Sequence, residues 1–301
     1  MIAQVSYLAV RDSSRRVPMS RSSNVDISPF SVLLPVYAGD DPDHFDTAIT
    51  SIAEQTLVPD EILVVRDGPV PEPLETVIRT WKDDYEKTFR VHEIETNQGL
   101  GNALREGMQE CSHEYVARMD ADDVSVPDRF ESQMKFLHNN PDIDVVGGYL
   151  AEFDTDPDET HAKRTVPCRH DEIEKRAKFR SPMNHATVLF RRESVMEVGN
   201  YRAVSRMEDY DLWVRMLMNG ARFWNVPEVL LKMRAGDELY DRRKGYEYAR
   251  REFEQQCGWY RRGFIGASEF TFNVLTRVGI RFAPNSVRKY VYTRFRNQTG
   301  N

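Results

Sequence analysis

Ser31-Val32-Leu33-Leu34-Pro35-Val36-Tyr37 is an apolar run that ends at Ala38-Gly39-Asp40. A run this short, closed by turn residues, predicts a strand buried on both faces. Beyond it the periodicity switches: Phe45, Ala48, Ile49, Ile52 and Ala53 recur at helical spacing between His44 and Gln55. Ile62-Leu63-Val64-Val65 predicts a second buried strand, closed by Asp67-Gly68-Pro69, and Leu74, Val77, Ile78 and Trp81 mark a second helix. A third strand over Phe89 to Ile94 leads to a helix over Leu100 to Cys111, opened by Gly99, and then to a fourth strand over Tyr115 to Met119. Pro127 is placed at a helix start, where its fixed φ is suited, and Val145-Val146 belongs to a fifth strand. Strands and helices alternating over short connections predict an α/β fold, with a Rossmann-like, mostly parallel sheet flanked by helices. Ligands of such sheets bind beyond the carboxyl ends of the strands. Functional residues are therefore sought just after Val36, Val65, Ile94 and Met119.

The chain has 301 residues, of which 40% are hydrophobic and 30% charged. Residues 1–28 read as a flexible leader, rich in Ser and Arg after an initial apolar run, and 29–240 as the main domain. In the latter the pattern becomes irregular after Leu150: an acidic loop over Asp154 to His161, a strand over Thr187 to Phe190, and a helix over Met207 to Met218 stopped at Gly220. Residues 241–301 read as a basic amphipathic helical extension, with nine Lys/Arg against three Glu between 251 and 301 in a chain of net charge −7. Phe264, Ile265, Phe270, Phe272 and Leu275 interleave there with arginines, a pattern that fits either packing on the main fold or peripheral contact with an anionic membrane. Phe264 to Pro284 carries Glu269, Arg277 and Arg281 and is too charged to span a bilayer. The acidic balance argues against a nucleic-acid binder. Cys111, Cys168 and Cys257 contain no CxxC pair, and the basic residues near the N-terminus follow the apolar run, the reverse of a secretory signal. The expected location is cytoplasmic, extending to the cytoplasmic face of a membrane.

Two acidic clusters carry the chemistry. Asp120-Ala121-Asp122-Asp123 ends the fourth strand. Three carboxylates in four positions repel one another unless water or a cation relieves them, and Mg²⁺ or Mn²⁺ takes oxygen ligands while keeping places for phosphates. An acidic surface turn is the plain alternative, and the strand-end position favours the cation. Glu208-Asp209-Tyr210-Asp211-Leu212-Trp213 opens a helix, whose dipole alone stabilises acidic residues there. An ionised carboxylate facing a cleft is also a general base. Tyr210 and Trp213 are candidates for a sugar-lining wall or for the core. Gly99-Leu100-Gly101-Asn102-Ala103-Leu104 imitates a dinucleotide-binding turn, but Leu104 stands where the third glycine belongs and the motif lies in the third strand–helix unit.

Taken in order, Ser31 to Tyr37, Ser51-Ile52-Ala53-Glu54-Gln55-Thr56, Asp60 to Gly68, Asn97 to Gly101, Asp120 to Asp123 and Glu208 to Trp213 resemble the motifs of family 2 glycosyltransferases of GT-A fold. The likeness runs from about Phe30 to Arg234 and is nearest to the bacterial and archaeal branch that builds capsules, exopolysaccharides and lipid-linked glycans. It implies an inverting, metal-dependent transferase using a nucleotide-sugar donor, a UDP-sugar first, and a glycan or lipid-linked acceptor. By position, Pro35 and Tyr37 would border the nucleotide and Asp67 would bond its base. Asp120 would meet the ribose or metal, Asp122 the Mg²⁺ or Mn²⁺ on the diphosphate, and Asp209 would be the base. Asn102 stands where relatives carry Lys or Arg near the donor, Arg66 replaces an acidic residue before Asp67, and His185 would lie near the donor phosphates. Two alternatives are a sugar-nucleotide pyrophosphorylase, whose Gly-rich basic loop is not matched after the first strand, and a non-catalytic sugar- or partner-binding module.

Overall fold

The apolar run that begins the fold forms β1 (Phe30–Tyr37), buried on both faces as far as Val36. The computed structural model describes residues 27–204, 207–235 and 246–278. The expected leader, apart from residues 27 and 28, and the tail beyond 278 lie outside the described residues. Asp41 accepts from the Asp43 and His44 amides and caps α1 (Pro42–Ala53), whose Phe45, Ala48, Ile49 and Ile52 turn inward. The chain continues through β2 (Glu61–Asp67), α2 (Glu72–Asp84), β3 (Phe89–Ile94), α3 (Leu100–Glu110) and β4 (Tyr115–Arg118). It then forms β5 (Val124–Ser125), α4 (Arg129–Asn139), β6 (Val145–Phe153), β7 (Ala162–Arg164), α5 (His170–Ala177), β8 (Leu189–Arg191) and α6 (Arg192–Glu197). The last elements are α7 (Glu208–Met218), β9 (Phe223–Arg234), α8 (Tyr246–Arg261) and α9 (Ala267–Asn273).

The strands form one sheet in the order β3-β2-β1-β4-β8-β6-β9-β5, with β7 attached to β6. Strands β1 to β4 pair in parallel, as the alternating pattern predicts. Val32, Leu34 and Val36 pack under α1, α2 and α4, while Leu33, Leu63 and Val65 pack against α3 and α7 on the opposite face. β1 and β2 feed helices on one face, and α3 crosses the other face to bring β4 back beside β1. The direction of winding thus reverses between β1 and β4, which opens a crevice at their carboxyl ends. The last β1–β4 pair is Leu33↔Arg118, so Pro35, which has no N–H, lies where that ladder has already ended.

The expected α/β sheet flanked by helices is present, and its second half adds antiparallel pairs that make it mixed. β8 runs antiparallel to β4 and β6, β5 antiparallel to β9, and β6 parallel to β9. The twelve-residue β9 is absent from the sequence reading because Pro227-Glu228 interrupts its apolar pattern, and the β6–β9 register shifts beside it, between Gly148 and Leu150. β6 also continues to Phe153, past the expected irregularity at Leu150. Pro127 precedes the α4 cap, Asp128, instead of opening the helix, and His185–Thr187 is a 3₁₀ turn before the strand that begins at Leu189. The described part of the C-terminal extension packs on the fold: Trp259 and Ile265 join Tyr210 and Val214 of α7 in a small apolar cluster. No helix among the described residues is long and apolar enough to cross a membrane.

The approach of α3 to the sheet depends on Gly107, where an added Cβ would lie 2.3 Å from Leu33 Cδ1 and 2.8 Å from Val65 Cγ2. Overpacking of this kind costs about 1–3 kcal/mol, more than the roughly 1 kcal/mol that alanine gains in helix propensity. Gly107→Ala is expected to lower the urea midpoint with an unchanged slope; a midpoint equal to that of the wild type contradicts the packing described.

Candidate active site

β4 delivers an arginine and three carboxylates to the crevice. Arg118 is buried and grips both oxygens of Asp120 in a fork-to-fork pair. Burial acts to lower the guanidinium pKa, but the negative charge of Asp120 and the hydrogen bonds to it hold it above the ordinary value. Behind it, Arg129 donates to the Arg118 carbonyl at 2.7 Å and braces the end of the strand. Asp122 is partly exposed, and burial together with the charge of Asp120 raises its pKa. Asp123 is buried and accepts from the Arg234 amide at 3.1 Å, while its Oδ2 has no hydrogen-bond partner. Burial and the charges of Asp120 and Asp122 raise the Asp123 carboxyl well above the usual range.

The facing wall comes from the loop after β3 and the start of α7. Asp67 accepts from the Gln98 and Gly99 amides at 2.7 and 2.8 Å, so its carboxylate shapes the loop that enters α3. Gly68 has φ +85, and an added Cβ there would lie 2.6 Å from the Asn97 amide nitrogen. Asn102 turns back to donate to the Gln98 carbonyl at 3.0 Å. At Gly101 a Cβ would meet the Arg202 carbonyl at 2.7 Å and Glu208 Cβ at 3.4 Å. The glycine lets α3 come close to the first residue of α7.

His185 and Tyr201 lie between the two walls, bonded from Nε2 to the hydroxyl at 2.8 Å. Burial and the charge of Arg118 push the His185 pKa well below its ordinary value, which keeps the ring neutral. Burial raises the Tyr201 hydroxyl, Arg118 opposes that, and Asp209, Glu208 and Asp120 add to it. One buried hydroxyl thus feels members of both acidic clusters, which are nearly ninety positions apart in sequence. Glu208 is buried, and desolvation and the charge of Asp209 lift its pKa to about 7. Asp209 is partly exposed and accepts from Ser181 Oγ at 3.3 Å.

The expected residues therefore divide. Asp120, Asp209 and His185 converge around Tyr201, and Tyr37 is exposed at the mouth formed by the end of β1. Pro35 is buried in the strand, and the Asp67 and Asn102 side chains bond within the 97–102 loop. Tyr210 and Trp213 belong to the core, which corrects their candidacy for a sugar wall: Trp213 is fully buried, and the Tyr210 hydroxyl donates to the Ala177 carbonyl at 2.6 Å. The sequence reading missed Arg118, Tyr201, Ser181 and Glu208 as separate contributors. Arg118 had a signal, a lone charge in the apolar run Tyr115-Val116-Ala117-Arg118. Tyr201 had none, because Asn200 at φ 59 and a bond from its side chain to the Arg105 carbonyl set its place.

Among the described residues no three His, Cys, Asp or Glu side chains form a ready-made metal cage. The residues nevertheless fit a hard divalent cation. Mg²⁺ is commonly held by one or two carboxylates, with phosphates and water completing its shell. Asp122 offers oxygen donors at the crevice, and the raised pKa values of Asp122 and Asp123 mark an excess of negative charge that a cation would relieve. Asp120 is already engaged by Arg118, so Asp122 is the better placed donor.

Comparison with known proteins gives a consistent result. The profile of Glycosyl transferase family 2 matches residues 31–199. The UDP-Gal:alpha-D-GlcNAc-diphosphoundecaprenol beta-1,3-galactosyltransferase of Escherichia coli is 37% identical over 267 residues, covering 89% of this chain and 96% of that protein. The amylovoran biosynthesis glycosyltransferase AmsE of Erwinia amylovora is 35% identical over 273 residues, covering 89% and 99%. Among solved structures, the mannosyltransferase PcManGT of Pyrobaculum calidifontis, in complex with GDP-Man and Mn²⁺, superposes with a TM-score of 0.57 at 17% identity, covering 85% of this chain and 73% of that one. TarS 1–349 of S. aureus with UDP-GlcNAc gives a TM-score of 0.59 at 16% identity, covering 77% and 66%.

The raised Glu208 carboxyl sets a pH dependence. Between an unfolded value near 4.5 and the folded value of about 7 the native state holds the extra proton, so this group reduces stability as pH rises through that window. Glu208→Gln is expected to gain stability relative to wild type from pH 4.5 to 7 and to level off above it, in urea unfolding at several pH values. A pH-independent difference contradicts the burial of this charge.

Proposed function

From the premise that the chain belongs to glycosyl transferase family 2, we propose that it moves a sugar from a UDP-sugar to a hydroxyl of a lipid-linked glycan, inverting the anomeric carbon. The chain is a glycosyltransferase of GT-A fold. The observation that carries the finer reading is that the buried Tyr201 hydroxyl, bonded to His185, feels Asp120 of one acidic cluster and Glu208 and Asp209 of the other. A donor site and an acceptor base must be neighbours for direct transfer, and the influence of both acidic clusters on one hydroxyl supports that relation. The galactosyltransferase relative, which acts on a diphosphoundecaprenol-linked sugar, supports the choice of donor and acceptor class.

In this reading the donor occupies the carboxyl ends of β1 to β4. Pro35 and Tyr37 border the nucleotide, Asp67 faces its base while holding the 97–102 loop, and Asp120, fixed by Arg118, receives the ribose. Asn102 and the neutral His185 face the phosphates. Asp122, with Asp120 beside it, would hold Mg²⁺ or Mn²⁺, which when bound neutralises charge on the diphosphate leaving group. Asp209, oriented by Ser181, takes the acceptor hydroxyl proton as its oxygen attacks the anomeric carbon from the face opposite the diphosphate. The bond from the anomeric carbon to the diphosphate oxygen breaks, and its electron pair leaves with the nucleoside diphosphate. One displacement inverts the centre and needs no enzyme nucleophile.

The catalytic unit is assigned to 29–240, and the extension over 241–301 to contact with the cytoplasmic face of the membrane. The supporting observation is that Phe272 and Leu275 are exposed on the outer side of an extension whose Trp259 and Ile265 are docked on α7.

A panel of nucleotide sugars screened for metal-dependent hydrolysis and transfer identifies the donor. With that donor, Asp209→Asn is expected to lower kcat by about 10²–10⁴, the usual worth of a general base, with nucleotide affinity retained. In the same titrations Asp122→Ala is expected to weaken nucleotide binding chiefly when Mn²⁺ is present. Full activity of the first variant, or equal binding by the second across a Mn²⁺ titration, overturns these roles.

A further inference from the structure

The segment Arg176-Ala177-Lys178-Phe179-Arg180-Ser181 joins the end of α5 to the hydroxyl that touches Asp209. Its backbone keeps turning after Ala177: the Phe179 and Arg180 amides both donate to the Arg176 carbonyl at 2.9 Å. Arg176 and Arg180 therefore stand one helical turn apart on one face, a spacing at which like charges destabilise. Burial and the charge of Arg180 push the Arg176 guanidinium down to about 10, with only the Tyr210 hydroxyl acting in the other direction. Arg176 Nε is enclosed without a hydrogen-bond acceptor. Two crowded cations, one with an unanswered buried donor, are arranged for an anion that the described chain does not supply.

An apolar ledge adjoins them. Phe179, 40% exposed, meets Phe272, 56% exposed, edge-on at 5.8 Å, and Leu275, 69% exposed, follows one turn later. The two elements are tied together by Asn273, whose side chain donates to the Lys178 carbonyl at 2.8 Å. Exposed apolar groups beside a cation pair fit a ligand that is anionic at one end and greasy at the other.

We propose that Arg176 and Arg180 bind the diphosphate of a polyprenyl-diphosphate-linked sugar, with Phe179 and Phe272 receiving the first units of its lipid chain. This rests on the reading of Asp209 as the base for a lipid-linked acceptor. The geometry suits it: an acceptor hydroxyl and a diphosphate on the anomeric carbon are separated by the width of one sugar ring. Arg180 immediately precedes Ser181, whose hydroxyl touches Asp209, so the cation pair adjoins the segment that meets the base. Arginine forks match phosphate oxygens two at a time, which gives the pair orientation as well as charge.

The test is calorimetric titration of the full chain with farnesyl diphosphate, in EDTA so that the metal-dependent donor site is silent. Farnesol, inorganic pyrophosphate and phosphatidylglycerol vesicles serve as separate arms. Farnesyl diphosphate is expected to bind more tightly than either farnesol or pyrophosphate. Arg176→Gln/Arg180→Gln should weaken it by about tenfold or more, with Arg180→Lys recovering part of the loss. Phe272→Ser should weaken farnesyl diphosphate while sparing pyrophosphate. UDP binding with Mn²⁺, unchanged in each variant, reports intact folding, and the exposed single change Arg180→Gln stands in if the double variant loses it. Equal affinity of wild type and the arginine variants for farnesyl diphosphate overturns the proposal. So does a loss confined to phosphatidylglycerol vesicles, which would make the pair a headgroup site. Should the chain bind farnesyl diphosphate through these arginines yet transfer no sugar, the proposed reaction fails and this site stands. Should it transfer to a lipid-linked acceptor equally well with and without the arginines, the site fails and the reaction stands.

Discussion

The ion pair between the buried Arg118 and the half-buried Asp120 is the constraint around which the rest of the crevice is arranged. A guanidinium at the end of a central strand is tolerable only with its charge answered, and Asp120 answers it with both oxygens. Removing Asp120 would leave the buried guanidinium unanswered, the costly half of such a pair, whereas Asp120 itself still reaches solvent. Burial, helped by Arg118, keeps His185 neutral, and Arg118 opposes the rise that burial causes at Glu208 and Tyr201. A single cation thus acts on acidic groups after β4 and at the start of α7, bonding Asp120 directly and offsetting part of the cost of burying Glu208.

Close backbone approaches give this arrangement its shape. Gly107 seats α3 on β1 and β2, and Gly101 lets the start of the same helix meet Arg202 and Glu208. The 97–102 loop between β3 and α3 is fixed by Asp67, so that residue works on the fold whether or not it also meets a nucleotide. On the outer side, Trp259 packs against Tyr210 of α7 with the rings tilted by 58° and their centres 4.5 Å apart. The helix that carries Asp209 is therefore clamped between the sheet and the C-terminal extension. Asp209 and the described part of the C-terminal extension thus belong to one packed unit.

Much of the first half could be read from sequence because local signals and tertiary outcome agree there. Val32, Leu34 and Val36 alternate with Leu33 between two faces that are both covered, and the turns at Asp41 and Gly68 carry the residues their geometry needs. The second half was less legible. β9 contains a proline and a register shift, features that hide a strand from any periodicity, and antiparallel partners such as β8 are only three residues long. In the site, the acidic clusters announced themselves by charge density. Their meeting point did not, since Tyr201 is positioned by Asn200 in a left-handed turn and by a bond to α3. The side-chain bonds of Asp67 and Asn102 were equally hidden, because loop closure from 97 to 102 is a tertiary event.

The central claim is that one crevice holds both the donor and the base. Crystals of the chain grown with UDP and Mn²⁺, measured at the manganese absorption edge, test it most directly. The account predicts an anomalous peak in coordination contact with Asp122, the uridine lying along the ends of β1 and β2, and Asp209 facing the same cavity. A nucleotide and metal bound elsewhere, with Asp209 turned away from them, would contradict it.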